Sequence, residues 1–84
     1  MIQKAILETW VIEALSHLGG RGGVVDVSRF IWENHEAELR TGGDLFFTWQ
    51  YDVRWAALQL RKLGAIEPHD VAKRVWVLTN LAKA

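Results

Sequence analysis

Residues 48–62 hold Thr48, Gln50, Tyr51, Arg54, Arg61 and Lys62, a set whose chemistry suits a nucleic acid duplex. A glutamine amide can bond adenine through two hydrogen bonds, and an arginine fork can bond guanine N7 and O6. Hydroxyls such as those of Thr48 and Tyr51, and cations placed later on a helix such as Arg61 and Lys62, suit phosphate oxygens. Farther on stand His69, Lys73 and Arg74. Cations in a turn can lie along a phosphate strand or enter the minor groove. These nine residues are the candidate DNA contacts. The plain alternative is an ordinary solvated helix face followed by a polar turn, and Asp70 in that turn weakens the DNA case.

Nothing in the chain suggests catalysis, and the expectation is a protein that is not an enzyme. His17, His35 and His69 are scattered, and there is no Cys, so neither a metal site nor a disulfide is expected. His35, with Glu36 and Glu38 nearby, reads as a solvated helix end. The glycines of 19–23 are followed by no Lys-Ser/Thr pair and fit neither a phosphate loop nor a dinucleotide fingerprint. Ser16 and Ser28 have no neighbouring base, and no carboxylate pair is spaced for acid–base work. No cofactor is expected.

The elements that must position the nine residues follow from periodicity. Ile2, Ile6, Trp10, Ala14 and Leu18 recur every four residues, with Leu7, Val11 and Leu15 beside them, which is the stripe of an amphipathic helix ending at Gly19-Gly20. Val24-Val25 reads as a very short strand. Asp26 is a good cap for a second helix running to about Leu39, and Thr41-Gly42-Gly43-Asp44 breaks it. Thr48 can cap a third helix from Trp49 to Leu63, with Trp49, Val53, Ala56, Ala57, Leu60 and Leu63 inward and Gly64 as its stop. Ala65-Ile66-Glu67 and Arg74–Thr79 then read as the strands of a β-hairpin. The tail is expected to make one helical turn.

With 84 residues the chain is one domain, and half of it is hydrophobic, with five Trp. Trp10, Trp49, Trp55 and Trp76 read as core, whereas Trp32 and the loop pair Phe46-Phe47 are possible anchors for a partner chain. No run approaches the roughly 18 apolar residues of a membrane span, and no signal-peptide layout begins the chain, so a cytoplasmic protein with no membrane partner is expected. Formal net charge is zero, but residues 1–52 carry four cations against eight carboxylates, while residues 53–84 carry six against two. A basic face on the C-terminal half follows.

Val53-Arg54-Trp55-Ala56, Leu60–Glu67 and Arg74-Val75-Trp76-Val77-Leu78-Thr79 together resemble the N-terminal winged-helix domain of Mrr-type restriction endonucleases. In that family a helix of the form R-W-A-x-x-x-L-K-K-x-G leads into a hairpin ending G-V-W-x-L-T. Here Arg74 stands where that pattern has Gly, and the link between the second and third helices is reduced to about Glu38–Phe47. The resemblance implies an α+β winged helix-turn-helix over 1–84, a three-helix core with a C-terminal β-hairpin wing. It also implies a double-stranded DNA-binding module, either the DNA-reading part of a restriction or defence system or a small transcriptional regulator. It does not imply cleavage. Expected partners are duplex DNA, including modified DNA, and a second copy or a partner nuclease chain. Neutral net charge, Glu33, Glu36 and Glu38, and Phe46-Phe47 favour the other reading, a winged helix for protein–protein interaction or dimerisation.

Overall fold

A computed structural model describes residues 2–68 and 74–80. Three helices, α1 (Ile6–His17), α2 (Val24–Arg40) and α3 (Leu45–Lys62), pack against a two-stranded antiparallel sheet of β1 (Arg21–Gly22) and β2 (Trp76–Val77). This α+β arrangement is compatible with a winged helix.

The core is where the three helices meet. Leu7, Trp10, Val11, Ala14 and Leu15 of α1 face Val27, Ile31 and Leu39 of α2 and Leu45, Trp49, Val53, Ala56, Ala57 and Leu60 of α3. Spacings of three and four residues gather these side chains on one stripe of each helix. Ala65, Ile66 and Leu78 close the core from the sheet side. Leu63, expected inward, is 65% exposed and is the residue that caps α3.

Two helix ends follow from glycine chemistry. After α1, Gly19 (φ 90°) and Gly20 donate to Ser16 O and Leu15 O at 3.3 and 2.7 Å; after α3, Gly64 (φ 80°) and Ala65 donate to Arg61 O and Leu60 O at 3.0 and 2.9 Å. Both ends use the paired bonds of a Schellman motif, which needs the left-handed backbone that glycine adopts without strain.

Two helix starts differ from expectation. Val24-Val25 is the first turn of α2, and Gly23 holds the cap position, so Asp26 lies inside the helix; the short strand is Arg21–Gly22 instead. α3 begins at Leu45, not after Thr48. Leu45 is buried four residues before Trp49, on the same stripe, so burying it extends the helix back by one turn and takes Phe46-Phe47 out of the loop.

The sheet is smaller than the expected hairpin. Segment 76–79 pairs on one side with Gly20–Gly22, where Leu78 N donates to Gly20 O at 2.8 Å. Its other side meets 65–67 through a bridge between Ile66 and Leu78, where Glu67 N donates to Val77 O (2.9 Å) and Thr79 N to Ala65 O (3.0 Å). Arg74, expected to begin the strand, has φ 52° and lies outside it. The expected turn residues His69 and Lys73, and the tail beyond Asn80, lie outside the described residues.

Candidate nucleic-acid interface

The outward face of α3 gathers most of the expected contacts. Phe47, Tyr51, Arg54, Leu58 and Lys62 follow one another at intervals of four, three, four and four residues, so at about 100° per residue they form one line along the helix. All five are exposed, and Gln50 flanks the line, also exposed. Arg61 flanks it farther on but is only half-buried to half-exposed, and its Nε is buried with no hydrogen-bond partner among the described residues.

Between Phe47 and Lys62 the charge on this face has one sign, and exposed Asp44 at the N-cap precedes it. The only acidic residue of α3 is Asp52, which is buried at the edge of the inward stripe, beside Thr48. Its Oδ2 accepts a 2.7 Å hydrogen bond from Thr48 Oγ1. Thr48 therefore sits about a quarter-turn off the line, with its hydroxyl proton committed to the protein. Arg54 and Lys62 are left with no carboxylate beside them on α3, and no ion pair among the described residues involves either.

Gln50 and Arg54 also form one wall of an open groove of about 600 Å³. Val24, Val25, Ser28 and Arg29, from the first two turns of α2, form the opposite wall. Its floor is aromatic: the Trp32 ring stacks on buried Trp49 at 6.1 Å between centroids, and Arg40 covers Trp32 at 5.3 Å. Trp32 is thereby half-buried between two partners at the floor of the groove. Trp55 and Trp76 are likewise half-buried against the core.

Among known protein families, curated proteins and solved structures, nothing matches this chain.

The other side of the molecule holds the ionic contacts. His35, expected at a solvated end, has a side chain only 14% exposed. Its ring stacks on Trp10 at 4.0 Å and 10°, and its two nitrogens lie 2.7 Å from Glu13 Oε1 and 3.0 Å from Glu38 Oε1. Backbone φ −132° at His35 interrupts α2 there. Burial lowers the proton affinity of the imidazole, but hydrogen bonds to Glu13 and Glu38, and then their charges, outweigh it, so the pKa lies above the ordinary 6.5. Glu13 and His35 are 22 residues apart, and no sequence signal joins them. Phe47 was expected only as a loop anchor for a partner chain; its line with Tyr51 and Arg54 is legible once α3 is started at Leu45.

Among the described residues no group of three or more His, Asp or Glu is placed to hold a metal, and no helix is long and apolar enough to cross a membrane.

Proposed function

We propose that this chain is a non-catalytic, cytoplasmic winged-helix module that binds double-stranded DNA, with α3 as its recognition helix. The observation that carries the reading is the outward face of α3, which presents Gln50, Tyr51, Arg54 and Lys62 while the helix's one carboxylate, Asp52, is turned inward. A duplex approaching that face meets cations and hydrogen-bond donors between Gln50 and Lys62, and the one exposed acid of the helix, Asp44, stands apart at its N-cap. The chain order supports the reading: three helices are followed by a segment that pairs with both Gly20–Gly22 and 65–67, as a winged helix requires. So does the resemblance to the N-terminal domain of Mrr-type restriction endonucleases, which points to a DNA-reading role in a restriction or defence system, with a small transcriptional regulator as the other setting.

Fluorescence anisotropy with unmodified and modified duplexes, at two salt concentrations, tests it. Affinity falls steeply with salt. Arg54→Glu lowers it by about ten- to a hundredfold, the range of a bidentate guanine contact, and leaves the melting temperature unchanged. A folded variant that binds like the parent would show that α3 is not the recognition helix.

One observation favours a second reading, a protein-interaction or dimerisation module. Phe47 and Tyr51 are 83% and 78% exposed, and Val25 across the groove is 64% exposed. An apolar interface would tolerate salt that abolishes phosphate binding.

A further inference from the structure

Phe47 is the residue of α3 that the readout of hydrogen-bonding groups leaves unexplained. It stands in the first turn of the helix and exposes 83% of its surface. The ring is braced edge-on by Phe46 at 5.1 Å, and Phe46 lies 5.8 Å beneath the Arg40 guanidinium. Phe47 thus has a ring against it on one side and presents a bare apolar edge on the other. Tyr51, one turn on, continues that edge, and Arg54 follows on the same line.

The major groove offers one apolar group of matching kind in ordinary DNA, the C5 methyl of thymine, and phenylalanine is among the side chains that contact it. Residues early in a recognition helix are those that reach base edges. Phe47 and Arg54 are separated by seven residues, about 10.5 Å along the axis, which corresponds to about three base-pair steps. We infer that Phe47, continued by Tyr51, is a specificity-determining contact for a thymine methyl group about three steps from the guanine taken by Arg54. The inference rests on the DNA-binding reading, and charge favours DNA as the occupant of this apolar edge, since Arg54 and Lys62 share its line and the one acid near that line, Asp44, stands at the N-cap before the first turn.

The experiment removes the methyl group from the DNA and the ring from the protein. Duplexes are enriched on the protein from a random-sequence pool, and the enriched duplex is resynthesised with deoxyuridine for each thymidine in turn. At the contacted position the parent protein loses affinity about fourfold, the worth of one buried methyl group. Phe47→Ala binds the thymidine and deoxyuridine duplexes equally, and Phe47→Leu keeps part of the difference; circular dichroism verifies that both variants are folded. If the parent binds both duplexes equally at every position, or Phe47→Ala discriminates as the parent does, the inference is overturned while DNA binding stands. If no duplex binds at low salt, the DNA reading falls and takes the inference with it. Self-association in sedimentation that Phe47→Ala abolishes would overturn it in favour of a second copy on this face.

Discussion

The α1–α2 side of this molecule and the outward face of α3 treat their polar side chains in opposite ways. On the first, charges answer one another: Arg40 Nε donates to Glu36 at 2.7 Å, Arg29 lies 3.9 Å from Asp26, and His35 joins Glu13 to Glu38. On the second, Arg54, Lys62, Gln50 and Tyr51 stand exposed, and the nearest acid along the helix is buried and held by Thr48. Side chains that satisfy each other are accounted for by the fold. Exposed groups of one charge sign, lined up on a helix, gain nothing from the fold and are what a partner of opposite charge would use. The paired side should therefore respond to substitution through stability, and the α3 face through binding.

The largest effect belongs to the paired side. Trp10 is buried in the core, and its ring is the platform on which His35 stacks. Trp10→Ala removes core volume and the platform together and costs about 3–5 kcal/mol, a large share of the stability of a domain this small. Urea unfolding measures it. A loss below about 1 kcal/mol would mean that α1 is not seated on the core as described, and the contrast between the two faces would lose its structural half.

His35 gives a smaller effect with a distinctive pH signature. Each ring nitrogen faces a carboxylate, and only the imidazolium can donate to both. Its folded pKa is raised above 6.5, so the contribution is fully present below the unfolded value and is lost as pH rises through the folded value. The surrounding charges, Glu33, Asp26, His17 and Arg29, line the same shallow groove as Glu13 and His35. Because both acceptors are about half exposed, the two bonds together contribute about 1 kcal/mol, as solvent-screened ion pairs do. Parent stability should decline as pH rises from 6.5 through the raised folded value, while that of His35→Gln stays flat. Parallel curves would show that the joint between α1 and α2 does not depend on the proton.

How much of this was legible in the sequence depended on whether the signal was local. The ends of α1 and α3 were legible at Gly19 and Gly64, because a left-handed cap is a property of one residue. The inward residues Trp49, Val53, Ala56, Ala57 and Leu60 were legible from their spacing. The starts of α2 and α3 were not. Asp26 and Thr48 are good caps by type, but Leu45 is drawn into the core, and tertiary packing outranks a local preference. At the site, Arg54, Gln50, Tyr51 and Lys62 were legible as the face opposite the apolar stripe, whereas Phe47 was legible as an exposed aromatic but not as part of that face, because the helix start was misplaced. The Glu13–His35–Glu38 joint was out of reach, since it exists only once α1 and α2 are packed.

The smallest effect concerns Arg74, where the two kinds of response can be separated within one residue. Arg74 has φ 52°, the sole positive φ of a residue other than glycine among the described residues, and its side chain is exposed. Its carbonyl approaches the start of α2 closely enough that a Cβ on Gly23 would lie 3.6 Å away. A left-handed arginine costs of the order of 1 kcal/mol. A glycine at this place would adopt that backbone freely. Arg74→Gly relieves the strain but returns chain entropy to the unfolded state, worth about 0.5–1 kcal/mol, so the net change is close to zero. If the side chain touches a phosphate, the same substitution lowers the slope of log affinity against log salt by about 0.9, alike for every duplex sequence. Unchanged stability with a shallower slope would extend the binding surface from α3 to this segment, and would give the strain a purpose. Unchanged stability with an unchanged slope would confine the surface to α3. A clear loss of stability would mean that the arginine side chain supports the fold, and Arg74 would move to the paired side of the comparison.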